Sequence, residues 1–216
     1  MKREQSEQLR KLSSAVCPSG NLARDARAFL LAHGCTGTAR HSEAVAVEAR
    51  RLAMALGGEP EKAYAAGWLH DISAVIPDSG RLAAARDWEV EVLPEEEALP
   101  LLLHQKLSVV IAKTVFGISD PATLDAIGHH TTLRRGAGAL EKLVFLADKL
   151  SWDQPGAPPY GEAVSSALVE SLDRAVSTYL HWVWERRETM RVIHPWLREA
   201  WEEMRPGPFD RTSSDC

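Results

Sequence analysis

Apolar residues in this chain recur mostly three and four positions apart, and period-two alternation is scarce, so helices are expected throughout. "SGNLARDARAFLLAHG" reads as a helix closed by Gly34, and "TARHSEAVAVEARRLAMALGG" as a longer one stopped by Gly57 and Gly58. "EPEKAYAAGWLHDIS" begins with Pro60 in its first turn and is finished before Pro77. "LPEEEALP" predicts a short acidic helix, and Pro100 separates it from "LLLHQKLSVVIAKTVFG", closed by Gly117. In "SDPATLDAIGHH", Asp120 is the expected N-cap and Pro121 the first helical residue. "ALEKLVFLADKLSW" is the most apolar helix and should lie centrally. After the loop "DQPGAPPYG", one long helix is predicted from about Glu162 to Arg187; "HPWLREAWEEMRPGPF" supplies a last helix before a polar, disordered tail. These boundaries divide the chain into an N-terminal helical extension (1–36), a main helical domain (37–188) and a C-terminal helix with its flexible tail (189–216).

Composition narrows the class without changing it. A length of 216 residues suffices for one sizeable core, and 45% hydrophobic with 25% charged residues is ordinary for a water-soluble all-α protein. A net charge of −5 with no basic block argues against nucleic acid as a partner. No apolar run approaches the roughly 20 residues that span a bilayer, and "MKREQSEQLRKL" lacks the apolar stretch of a signal peptide. Three widely spaced cysteines, Cys17, Cys35 and Cys216, do not suit a disulfide framework. A cytoplasmic location is expected.

Polar exceptions on the apolar faces carry the chemistry. "AGWLHDISAVIP" ends an otherwise apolar, small-residue helix in His70 and Asp71. His41 shares a helical face with Val45, Ala49, Leu52 and Leu56; His104 heads the face of Ser108, Ile111 and Val115; His130 lies with Ala126 and Ile127; Asp148 follows "LVFLA". Any one such histidine is commonly a core residue bonded to a backbone carbonyl, and a lone Asp is commonly a cap. Burying an ionised carboxylate without a partner costs several kcal/mol, however, and five helices each delivering a metal-competent group are explained together by one divalent metal centre.

The order His, His-Asp, His, His, Asp resembles the HD-domain metallophosphohydrolases, an all-helical fold, and within them the YqeK-like branch that hydrolyses diadenosine tetraphosphate symmetrically to two ADP. The matching stretches are "TARHSEAVAVEARRLA", "AAGWLHDIS", "LLLHQ", "AIGHHTT" and "LVFLADK". The resemblance implies His41, His70, Asp71, His104, His130 and Asp148 as metal ligands, with catalysis centred on His70 and Asp71. His130 rather than His129 is implied because it directly precedes "TT"; His129 is expected to be outer-shell or exposed. The resemblance further implies a di-iron centre, with manganese chemically close, in which Asp71 bridges, and a nucleotide or dinucleoside polyphosphate as substrate.

The chain also departs from the family pattern. Ala74 stands where many members carry a lysine after "HD", Leu133 replaces the glycine after "HTT", and "ADKLSWDQPGAPPY" lacks the usual Glu-Pro and arginine. Lys149, Arg134 and Arg135 are the candidate phosphate contacts, and Trp152, Pro158, Pro159 and Tyr160 a candidate wall for a base. Trp182, Trp184, Trp196 and Trp201 suit the core or a homodimer interface. Three rival readings stay open: a nucleotidase or phosphatase on a mononucleotide or other phosphate ester, a non-catalytic nucleotide or metal sensor, and oxygenase chemistry at the same metals. The complete ligand set disfavours a sensor, and basic residues near the site favour hydrolysis over oxygenation.

Overall fold

A computed structural model describes residues 6–14 and 19–205. Cys17, Cys216 and most of the expected polar tail lie outside the described residues. Within them run twelve α-helices: α1 (Glu7–Ser14), α2 (Leu22–Ala32), α3 (Thr36–Ala55), α4 (Pro60–Leu69), α5 (Asp78–Asp87), α6 (Pro94–Ala98), α7 (His104–Thr114), α8 (Pro121–Gly128), α9 (Ala139–Leu150), α10 (Gly161–Glu170), α11 (Leu172–Glu185) and α12 (Pro195–Met204). The described residues form no strand, and no helix among them is long and apolar enough to cross a membrane.

Local chemistry sets most of the ends. Asp120 caps α8 by accepting from Thr123 N–H at 2.9 Å, and Pro121 opens that helix. Gly34 follows α2 with φ of 78°, a left-handed turn that costs glycine little. The single helix expected from Glu162 to Arg187 is instead two. Ser171 adopts an extended backbone and its hydroxyl accepts from Arg174 N–H at 3.1 Å, ending α10 and capping α11. A serine so placed stops one helix by starting another. Helix α5, which the hydrophobic pattern does not mark, carries Gly80 and few apolar residues, with Ala84 and Ala85 buried.

Two packed clusters meet on α9. Leu143, Val144 and Ala147 join the larger cluster with α2, α3, α4, α7 and α8. Phe145 and Leu146 join Tyr160, Val164, Val176 and Leu180 from the α10–α11 side. This sandwiching makes α9 central, as its apolar sequence predicts. On α4, the stripe Ala63, Ala66, Gly67 is buried against α3. The approach is so close that a Cβ on Gly67 would lie 2.5 Å from Ala46 Cα. Glycine is needed there for space, and that contact brings the end of α4 beside His41.

Candidate metal centre

Six side chains converge where α3, α4, α7, α8 and α9 meet. His41 and Asp148 project from within α3 and α9. The other donors sit at helix ends: His70 caps α4, Asp71 follows it, His104 opens α7, and His130 lies two residues past α8. The contacts are tight. His41 Nε2 is 2.9 Å from Asp148 Oδ1, His70 Nε2 is 3.6 Å from that oxygen and 3.5 Å from Asp71 Oδ2. Asp71 Oδ1 in turn lies 3.5 Å from His104 Nε2 and 3.4 Å from His130 Nε2, and these two imidazole nitrogens are 3.0 Å apart. Two donor sets result, His41–His70–Asp71 and Asp71–His104–His130, each with its ligand atoms within 4.8 Å of one another. Asp71 belongs to both.

Three backbone carbonyls aim the rings. His70 Nδ1 donates to Gly67 O at 2.7 Å, His104 Nδ1 to Leu101 O at 2.6 Å, and His130 Nδ1 to Ile127 O at 2.7 Å. A carbonyl only accepts, so each Nδ1 carries its proton and each Nε2 presents a lone pair to the centre. His70 Nε2 is buried and makes no hydrogen bond, a state that costs on the order of 1–3 kcal/mol unless something meets that lone pair. Imidazole nitrogens and carboxylates converging on one another, with an orphaned lone pair among them, fit a divalent metal.

Charge states agree with that fit. Burial pushes the His130 imidazole down to about 4 and lowers that of His104 despite nearby Asp71, so both rings are neutral at pH 7, the state a metal ligand requires. Burial opposes charge on Asp71, but His70, His130 and His104 together hold its carboxyl well below the usual range. Burial likewise opposes charge on Asp148, where the Lys149 ammonium and the His41 hydrogen bond prevail. For His41, burial acts downward and is outweighed by the hydrogen bond and charge of Asp148, so its pKa is raised. Asp71 keeps 28% of its side-chain exposure, and the centre opens to solvent on that side.

The remaining sequence candidates are placed as follows. Lys149 Nζ donates to Asp148 Oδ2 at 2.5 Å and to His130 O at 3.1 Å, tying one candidate ligand's carboxylate to another's backbone. Arg134 is engaged by Glu141 at 2.7 Å and Asp125 at 2.9 Å, and Arg135 by Glu202 at 3.3 Å. His129 is largely buried rather than exposed, its Nδ1 2.8 Å from Asp125 O and 3.1 Å from Glu141, with its ring against Trp196. Tyr160 is packed into the second cluster with its hydroxyl donating to Lys149 O, so it forms no wall for a base; Trp152 is half-buried beside His41. Trp184 stacks on Trp201 with centroids 4.1 Å apart, and Trp182 meets Tyr160 edge-on with centroids 4.9 Å apart, so these rings pack within the chain. Leu133 is fully buried with φ of 56°.

Two contributors have no signature in the sequence. Arg81, 7% exposed and paired with Asp78, donates to Leu101 O at 3.1 Å, the same carbonyl that receives His104 Nδ1–H. Thr131 Oγ1 lies 2.9 Å from His104 Nε2. No residue type marks an accepting carbonyl. The readable clue is position: His70, His104 and His130 each bond the carbonyl three residues earlier, which a histidine at a helix end can reach.

Residues 38–153 match the family model described as HD domain. An uncharacterized protein from Lactococcus lactis subsp. cremoris is 39% identical over 143 residues, 66% of this chain and 72% of that protein. A symmetrical bis(5'-nucleosyl)-tetraphosphatase from Staphylococcus aureus is 34% identical over 54% of this chain and 58% of its own length; its Bacillus subtilis counterpart is 24% identical over 68% and 80%. A solved structure from Clostridium acetobutylicum, titled a predicted HD superfamily hydrolase involved in NAD metabolism, aligns with a TM-score of 0.76 at 25% identity, covering 84% of this chain and 95% of that one.

Proposed function

Because this chain belongs to the HD-domain family and is a phosphohydrolase of that family, we propose that it hydrolyses dinucleoside tetraphosphates symmetrically, taking diadenosine tetraphosphate to two ADP. The observation that carries this reading is Asp71, shared between two metal-competent donor sets. A carboxylate with one oxygen toward each set can join two ions, and a di-iron or dimanganese pair suits imidazole and carboxylate donors. When bound, such a pair supplies Lewis acidity that activates water near neutral pH and neutralises phosphoryl charge.

The protein residues act around that pair. Gly67, Leu101 and Ile127 carbonyls hold three imidazoles in the ligating tautomer, and Lys149 holds Asp148 ionised and oriented. In the overall step, oxygen from water joins one central phosphorus and the central bridging oxygen leaves with the other ADP. The names of the staphylococcal and bacillary relatives support this substrate. A phosphatase acting on a mononucleotide is the runner-up, favoured by the engagement of Arg134 and Arg135 in ion pairs of their own.

The test is chromatographic. Protein supplied with Fe(II) or Mn(II) under reducing conditions is incubated with diadenosine tetraphosphate and the products identified. ADP alone supports the proposal. ATP plus AMP contradicts symmetric cleavage, and rapid hydrolysis of a mononucleotide without dinucleotide turnover moves the assignment to the runner-up.

A further inference from the structure

A tetraphosphate brings more negative charge than two metal ions and their carboxylate ligands balance, so a free cation beside the centre is needed. The basic residues around the centre are largely committed. Lys149 is held by Asp148 and His130 O, Arg81 by Asp78 and Leu101 O, Arg134 by Glu141 and Asp125, and Arg135 by Glu202. Arg40 differs. It is exposed, adjoins His41 on α3, and makes no ion pair or hydrogen bond among the described residues.

Arg40 also lines a cleft of about 330 Å3 whose wall includes His41. Gly37 and Ala44 keep the α3 wall low, and Ser151, Trp152 and Asp153, just past α9, form the facing side. That volume is in the range of small-ligand sites. Trp152 is half-buried, its ring edge-on to Tyr160 with centroids 6.1 Å apart, and its Nε1 is buried without a hydrogen-bond partner. Asp153 is exposed and forms no ion pair with Arg40 among the described residues, which leaves its carboxylate able to accept from a sugar hydroxyl. The larger groove of about 540 Å3 between α3 and α10 contains none of the six donor residues.

We infer that Arg40 is the residue that holds a substrate phosphate on the His41 side of the centre, and that the cleft between Arg40 and Trp152 seats the attached nucleoside. This rests on the phosphohydrolase reading above and adds to it a specificity-determining residue. A guanidinium suits the task because its fork matches phosphate oxygens, and an indole suits a base because its flat face can stack on it.

The experiment compares full-length wild type with Arg40→Ala, Arg40→Lys and Trp152→Ala, all loaded with Mn(II). Metal content, ADP binding by calorimetry, inhibition by tripolyphosphate, and KM and kcat for diadenosine tetraphosphate are measured. Because Arg40 is exposed on a helix, its truncation leaves the core intact. Arg40→Ala is expected to weaken ADP binding and raise KM by about tenfold, with metal content unchanged, kcat little altered and partial recovery in Arg40→Lys. Trp152→Ala is expected to weaken ADP but not tripolyphosphate. Wild-type hydrolysis accompanied by an Arg40→Ala variant with unchanged KM and ADP affinity overturns the Arg40 assignment alone. Equal loss of ADP and tripolyphosphate in Trp152→Ala overturns the nucleoside seat. A metal-loaded wild type that neither hydrolyses the dinucleotide nor binds ADP overturns the underlying reading and this one with it.

Discussion

Replacing Gly67 by alanine is expected to force α3 and α4 apart and disturb the centre at their junction. The added Cβ would lie 2.5 Å from Ala46 Cα and 2.8 Å from Ala46 N. Carbon atoms pack at about 3.5–4.0 Å, so the helices must separate locally by about 1 Å. Both obstructing atoms are backbone, so no rotamer change relieves the contact. Overpacking of this kind costs about 1–3 kcal/mol, while alanine's better helix propensity returns about 1 kcal/mol. The net is a loss of up to about 2 kcal/mol, or a Tm lowered by up to about 8 °C for a chain of this size. Gly67 O also receives His70 Nδ1–H at 2.7 Å, so the shift carries His70 and Asp71 away from His41 and lowers metal affinity. Thermal unfolding by circular dichroism and metal content after dialysis read both effects. Adding Ala46→Gly removes only a methyl group that is not the obstruction, so it should not rescue. A Gly67→Ala variant at or above wild-type Tm, or full recovery on adding Ala46→Gly, would refute the close-approach argument.

Asp71→Ala should abolish hydrolysis and deplete bound metal, whereas His129→Ala, which removes a ring packed on Glu141 and Trp196, should retain metal; equal depletion in both would show that the wrong member of the "HH" pair is assigned. Glu141 is opposed by burial but held down to about 2 by His129, Arg134 and Gly138 N–H. Its folded pKa lies below its unfolded one, so the stability it contributes is present above about pH 4.5 and lost as pH falls toward 2. Urea midpoints of wild type and Glu141→Gln should therefore converge as pH falls through that window; a constant gap would contradict the assignment. Leu133 carries a left-handed backbone at φ of 56° inside the second cluster. Truncating it costs about 2–5 kcal/mol, while glycine regains the roughly 1 kcal/mol that a Cβ loses in that conformation. Leu133→Gly should thus be at least as stable as Leu133→Ala by denaturant melts, and a clearly less stable glycine variant would refute it.

The sequence made the donor set legible because burial penalises unpaired His and Asp so strongly that their recurrence on apolar faces needs a common cause. Helix starts were legible where a side chain acts on its own neighbours, as at Asp120, Pro121 and Pro60. The break at Ser171 was missed because serine is tolerated within helices, and only its hydroxyl bonding Arg174 N–H turns it into a cap. Helix α5 was missed because tertiary burial of Ala84 and Ala85, rather than an apolar stripe, holds it in place. Arg81, which appears in the sequence as an ordinary cation, reaches His104 only through a carbonyl supplied by another segment. Arg134 and Arg135 follow the histidine turn in sequence, but Asp125, Glu141 and Glu202 draw their guanidiniums into ion pairs of their own. Side-chain direction in such turns is decided by partners distant along the chain, which spacing does not encode.

The central claim is a two-metal centre joined by Asp71, and anomalous X-ray scattering from crystals of protein grown with Fe(II) or Mn(II) tests it most directly. The account predicts two peaks, one within bonding distance of His41, His70 and Asp148, the other of His104 and His130, with Asp71 oxygens reaching both. Bonds to nitrogen and oxygen of about 2.0–2.2 Å would match divalent coordination. A single peak that Asp71 does not bridge, or metal bound away from these six residues, would contradict it.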